Sequence, residues 1–189
     1  MVALYIFAGL RREEALWLTK KDIDLEAGEY GLIYIRKKRI KGKVWWPKNR
    51  KNRVVPISSR LRAILDQYVP ADSDGDWFFP SPDGKRWDRD NFSSNLKEIN
   101  DQHQPGLTWS CLDFRHTFGS QLAMKGESLL KISRLMGNSP EICEKHYINF
   151  CPSSLSRSVE FMPQPAVKEP ELPAENQERP RLRLVVNNK

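Results

Sequence analysis

Apolar positions recur at helical spacing over most of this chain, and turn-forming residues punctuate the breaks between periodic stretches. Residues 2–8, VALYIFA, are almost wholly apolar and read as the last turns of a helix whose beginning is absent. Glu13, Glu14, Leu16, Trp17 and Leu18 continue as a second helix to about Lys20-Lys21-Asp22. The pattern then changes. Residues 31–35, 44–46 and 54–57 are rich in β-branched and aromatic side chains and predict strands. Ser58-Ser59 predicts a cap for a helix with Leu61, Ile64, Leu65 and Tyr68 on one side. A polar loop over residues 70–75 leads to Trp77-Phe78-Phe79, a short buried strand before a turn at residues 80–84. A further helix spans residues 88–103, with Phe92, Leu96 and Ile99 inward.

The stretch from residue 107 to residue 147 predicts three more helices. Leu112, Phe118, Leu122 and Ala123 mark the inner face of the first, and Gly126 closes it. Leu129, Ile132, Leu135 and Met136 point inward from the second, which stops at Gly137. Ser139-Pro140-Glu141 reads as N-cap, first-turn proline and first-turn acid of the third, which carries Tyr147 near its end. Residues 153–162 can form one more amphipathic helix. From Pro163 onward five prolines, mixed charge and few large apolar groups predict disorder. The expected organisation is a domain over residues 1–162, its start missing, and a tail over residues 163–189.

Charge sharpens this picture at one place. Residues 36–53 hold ten Lys/Arg and no Asp or Glu, interleaved with Ile40, Val44, Trp45 and Trp46. That interleaving favours a basic hairpin over a solvated arm. Arg36, Lys37, Lys38, Arg39, Lys41, Lys43, Arg50, Lys51 and Arg53 are therefore the candidate contacts to the phosphates of double-stranded DNA, which give affinity without reading sequence. The net charge of +7 and pI of about 9.4 point to the same anionic partner. Three cysteines, Cys111, Cys143 and Cys151, are too few for a disulfide framework and fit a reducing cytosol. Drawn with His146 they would make only a weak zinc pattern, with no second paired motif. No run is apolar enough to span a membrane, and no cleavable signal follows Met1.

Several short motifs fall in a telling order: Gly9-Leu10-Arg11-Arg12-Glu13-Glu14 followed by Leu16, Leu18 and Asp22-Ile23-Asp24; Lys48 eight positions before Pro56; Arg115; Gly137-Asn138; Tyr147. Arg115 lies 23 positions before Asn138, and Asn138 lies nine before Tyr147. This set resembles the tyrosine recombinases, the phage-integrase family, over roughly residues 3–162. The resemblance implies that family's catalytic-domain fold, mainly α with a small antiparallel β-sheet (α+β). It also implies site-specific DNA cleavage and rejoining through a 3′-phosphotyrosyl intermediate, with neither metal nor cofactor. Tyr147 takes the place of the nucleophile, and Arg11 and Arg115 clamp the non-bridging oxygens. Lys48 protonates the leaving 5′-oxygen, with Lys51 and Lys43 as competing candidates.

Two positions depart from the family pattern. Leu112 stands three before Arg115, where the family usually has histidine, and Asn138 stands where it usually has histidine or tryptophan. Leu112 can neither donate, accept nor titrate; Asn138 can still donate an amide hydrogen bond to a phosphoryl oxygen. A catalytically impaired DNA-binding remnant of an integrase is therefore the alternative to an active recombinase. His116 and His146 are expected to project away from the site, His116 as a packing residue. Self-association on DNA as a tetrameric synapse, and a cytoplasmic, nucleoid-associated location, follow from the resemblance.

Overall fold

The computed structural model describes residues 1–68, 76–103 and 105–151. The helix expected over residues 153–162 and the tail over residues 163–189 lie outside the described residues, as does the loop at residues 70–75. Seven helices and two small antiparallel sheets make up what is described. The short apolar helix α1 (Val2–Ala8) ends at Gly9 in the left-handed conformation (φ 60°) and buries Leu4, Tyr5 and Ala8. It packs against α5 (Cys111–Met124) and α3 (Ser59–Asp66). Ser58 caps α3, accepting from the Leu61 amide, as the sequence predicts.

The second helix is shorter than its periodicity implies. Helix α2 (Arg12–Leu16) stops at Trp17, and a separate 3₁₀ turn forms over Lys20–Asp22. The Asp22 carboxylate accepts from both the amide (2.8 Å) and the hydroxyl (2.6 Å) of Thr19. This local bonding offers the backbone an alternative to one more helical turn. Strand β1 (Ile23–Asp24) follows and pairs with β2 (Leu32–Ile35), which pairs on its other side with β5 (Arg53–Pro56). Ile33 and Ile35 point to one face of β2 and are buried, as a period of two requires.

Between β2 and β5 the basic stretch forms a sheet of its own, β3 (Lys38–Ile40) against β4 (Lys43–Trp45). Its two-residue turn, Lys41-Gly42, has both φ angles positive (48° and 75°). Such a turn matches the twist of the flanking strands. The candidate lysine Lys48 is therefore not on the hairpin turn; it lies in the connection from β4 to β5, within a turn closed by the Arg50 amide on the Pro47 carbonyl (2.8 Å).

Helix α4 (Arg89–His103) buries Phe92, Leu96 and Asn100, while Ile99 is exposed. The inward line runs every fourth residue and meets Asn100, whose amide donates to the Trp109 carbonyl (2.7 Å). Ile64 in α3 is likewise outside the core. The inner line of α5 is Cys111, Arg115, Gly119 and Ala123; Leu112 is 59% exposed, contrary to expectation, and Phe118 and Leu122 sit at the margin of a second, smaller core. That second core is closed by α6 (Leu129–Met136) and α7 (Pro140–Tyr147) through Ile132, Met136, Cys143 and Tyr147. Gly137 ends α6 in the left-handed conformation, and Ser139 caps α7 ahead of Pro140, both as the sequence predicts.

Candidate active site

The two cores leave a groove of about 1460 Å³ between them, and Arg11, Lys48, Arg115, Asn138 and Tyr147 all line it. Arg11 arrives as the N-cap of α2, Arg115 from the buried line of α5, Asn138 from the α6–α7 link and Tyr147 from the last turn of α7. What fixes the two guanidinium groups is a set of helix-end carbonyls. Arg115 donates to the Gly9 carbonyl, to Met136 O (2.6 Å) and to Asn138 Oδ1 (3.0 Å). Arg11 donates to Gly137 O (2.6 Å) and to the same Asn138 Oδ1 (2.6 Å). These carbonyls belong to the C-terminal ends of α1 and α6, where the helix dipole favours cations.

The left-handed turns at Gly9 and Gly137 are therefore part of the site. A Cβ on Gly9 would lie 2.3 Å from the Phe118 ring, and one on Gly137 would lie 3.0 Å from the Arg53 guanidinium. Asn138 turns its carbonyl oxygen toward both arginines, which leaves its amide nitrogen as the end that can donate to an oxyanion.

Behind Arg11 sits Glu14, 1% exposed. Its carboxylate accepts from the Arg11 amide (2.7 Å) and guanidinium (2.9 Å) and takes both terminal nitrogens of Arg53 (2.7 Å each). Burial would raise the Glu14 carboxyl, but the hydrogen bonds and charges of Arg53 and Arg11 outweigh it and hold it below its ordinary value. Arg53 also donates to Leu135 O (3.0 Å). It is thus committed to the interior and holds Glu14 in place for Arg11. Arg115 is lowered to about 10, by burial first and then by Arg11, and stays charged at neutral pH. Three guanidinium groups meet one carboxylate here. The uncompensated positive charge faces the groove.

The other candidate cations separate into two groups. Lys37, Arg39, Lys41, Lys43, Lys48, Arg50 and Lys51 are exposed. Lys38 is buried, contrary to its expected place on DNA: its ammonium donates to Trp17 O (2.7 Å) and pairs with Asp22. Arg36 also binds Asp22 (3.1 Å) but remains half-exposed. Alternation along β3 turns Lys38 inward and Arg39 outward.

Tyr147 is 2% exposed and packs over Gly119, where a Cβ would come within 2.4 Å of its Cζ. Burial raises its hydroxyl pKa, and the nearby charge of Arg115 opposes the rise. His116, expected to project elsewhere, places Nδ1 3.1 Å from the Tyr147 hydroxyl. His146 joins the same cluster, its ring centroid 5.3 Å from that of His116. No local signal in the sequence marks His116: it lies about 100° round α5 from Arg115, and it meets Tyr147 because α7 packs across that flank. Among the described residues no cluster of His, Cys, Asp and Glu is arranged to hold a metal ion.

A helical domain with a small antiparallel sheet, whose basic groove is lined by two arginines and a helix-borne tyrosine, has the fold of a tyrosine-recombinase catalytic domain. Residues 1–150 match the profile of the phage integrase family, and the chain belongs to that family. The integrase of Escherichia phage 186 is 28% identical over 163 residues, covering 86% of this chain and 40% of that protein. The y4qK protein of Sinorhizobium fredii, named for an integrase/recombinase role, is 26% identical over 167 residues, covering 86% of this chain and 50% of that protein. The chain thus spans half or less of these relatives' length. The catalytic domain of bacteriophage HP1 integrase superposes with a TM-score of 0.53 at 25% identity, covering 86% of this chain and 80% of that one. The Tn1549 transposon integrase, solved with transposon right end DNA, shares the fold with a TM-score of 0.65 at 19% identity, covering 83% of this chain and 57% of that one.

Proposed function

We propose that this chain is the catalytic part of a site-specific recombinase that cuts and rejoins duplex DNA through Tyr147. The observation that carries this reading is the pair Arg11 and Arg115, locked by backbone carbonyls 126 and 106 positions away in the chain, beside a tyrosine in the same groove. Two preorganised guanidinium groups suit the non-bridging oxygens of a phosphodiester, because their planar forks match its geometry and need no reorganisation. Tyr147 Oη gives up its proton to a base as it attacks the scissile phosphorus, forming a 3′-phosphotyrosyl ester. The bond to the 5′-oxygen breaks, and that oxygen takes a proton from Lys48 at the groove. Attack by a free 5′-hydroxyl on the ester reverses the sequence and releases Tyr147. The phosphodiester energy is conserved, so no nucleotide enters the balance, and the two arginines supply the charge neutralisation for which a metal would otherwise be needed.

Exposed Lys37, Arg39, Lys41 and Lys43 on the hairpin, with Arg50 and Lys51 beyond it, supply the phosphate contacts that hold the duplex. Recombination needs two duplexes cut twice, so we expect a tetrameric synapse on DNA, associated with the nucleoid.

The second reading, a DNA-binding remnant impaired in catalysis, is favoured by Leu112, which presents an apolar side chain to the groove. A nicked suicide duplex carrying the parent element's attachment sequence separates the two. The full-length protein should accumulate a covalent adduct, and Tyr147→Phe should abolish it without altering DNA affinity. Lys48→Ala and Arg115→Ala should each slow trapping severely. No adduct from the unsubstituted full-length protein, or an adduct from Tyr147→Phe, leaves the remnant reading standing.

A further inference from the structure

Leu112 removes a titratable group from the site, yet a histidine touches the reacting oxygen from elsewhere on the same helix. We propose that His116 is a catalytic residue: the general base that takes the Tyr147 proton as the hydroxyl attacks phosphorus. The inference rests on the cleavage chemistry proposed above and adds a residue to it.

The geometry is direct. Nδ1 of His116 lies 3.1 Å from Tyr147 Oη, within proton-transfer reach. Among the described residues it is the side chain bonded to that oxygen. Gly119 holds the ring from below with no room for even a Cβ, so the hydroxyl cannot retreat from the imidazole in that direction. Arg115, the neighbouring residue on α5, carries a positive charge that favours the negative charge developing on the phenol oxygen.

The protonation states also suit the transfer. Burial keeps the Tyr147 hydroxyl protonated at neutral pH, so it has a proton to give. Burial first, and then the charge of His146, push His116 below its ordinary value and favour the neutral ring, whose Nε2–H tautomer offers a lone pair at Nδ1. The titratable groups around the imidazole are Asp113 and Arg115 on its own helix and His146 and Tyr147 on α7. Asp113 favours the imidazolium formed during attack, and Arg115 and His146 oppose it. The step balances. The O–H bond breaks as the O–P bond forms, Nδ1 gains the proton, and the half-buried ring releases its Nε2 proton to solvent.

The test is single-turnover cleavage of the nicked suicide duplex by the full-length protein, from acid to alkaline pH. His116→Ala should cut on the order of 10²-fold more slowly at neutral pH. His116→Gln keeps a hydrogen-bond acceptor but cannot take a proton, and should be comparably slow. The unsubstituted rate should level off once pH exceeds the lowered His116 value. The His116→Ala rate should keep climbing in proportion to hydroxide toward the raised Tyr147 value. Placing 3-fluorotyrosine at 147, a more acidic phenol, should recover about tenfold in His116→Ala and change little with His116 present. Melting temperature and DNA affinity should hold in both variants.

Full activity of His116→Gln would assign His116 to positioning alone. A deficit independent of pH and of fluorination would assign it to packing. Faster cleavage by His116→Ala would make it a clamp on a parked tyrosine. Each of these overturns the base role while cleavage by Tyr147 stands; no adduct from the unsubstituted protein removes both.

Discussion

Arg53→Met offers the sharpest separation between what the basic stretch looks like and what its members do. By sequence Arg53 is one of nine cations offered to the phosphates of DNA. In the fold its side chain is 9% exposed, both terminal nitrogens are bound to Glu14 and Nε is bound to Leu135 O. Methionine keeps the stem's volume and removes the charge. Glu14 would then keep only Arg11 as its cation. Breaking a buried pair costs about 3–5 kcal/mol, and the surviving Arg11 bonds place this case near 3. In a domain of this size that lowers Tm by roughly 6–12 °C. Cleavage should fall as well, because Glu14 no longer holds Arg11 against two partners. The assay pairs a thermal melt with DNA affinity measured against salt. A phosphate contact contributes about 0.9 to the slope of log affinity on log salt. Arg53→Met should leave that slope unchanged, whereas exposed Lys51→Ala should leave Tm unchanged and reduce the slope. A Tm within about 2 °C of the parent, with a slope reduced by about 0.9, would return Arg53 to the DNA face.

Other outcomes follow from the same geometry. Gly119→Ala gains about 1 kcal/mol of helix propensity but must push the Tyr147 ring away by about 1 Å, so stability should change little while trapping falls on the order of 10²-fold; unimpaired trapping would show that the ring is free to move. Leu112→His restores a hydrogen-bonding, titratable group at the groove and should speed trapping roughly tenfold or more, read in the suicide-duplex assay. Glu14 contributes stability that is present above its unfolded pKa and lost as pH falls through its lowered folded value, so melts below neutral pH should show an acid-side loss that Glu14→Gln removes. Affinity for duplex DNA should fall steeply with salt, since each neutralised phosphate releases counterion; binding indifferent to salt would contradict the role of the exposed hairpin cations.

Much of the local structure was legible in the sequence because its causes are local. Ser58 and Ser139 cap helices through their own hydroxyls, Pro140 fits a first turn, and Gly137 stops a helix where a left-handed residue is needed. The order and spacing of Arg11, Lys48, Arg115, Asn138 and Tyr147 likewise belong to the chain alone, and they carried the family resemblance. Tertiary structure decided how polar groups were shared out. Alternation along β3 places Lys38 and Arg39 on opposite faces, but only the position of Asp22 and Trp17 determines that the Lys38 face is the buried one. Arg53 resembles its basic neighbours until Glu14, 39 positions earlier, is brought against it. His116 follows Arg115, about 100° further round the helix, and periodicity assigns it to the flank. It meets the Tyr147 hydroxyl because α7 packs across that flank, a contact between residues 31 positions apart. A burial pattern records which face of an element leaves water. Which charge or hydroxyl waits on the other side depends on the docking of elements remote in sequence, and no local periodicity encodes it.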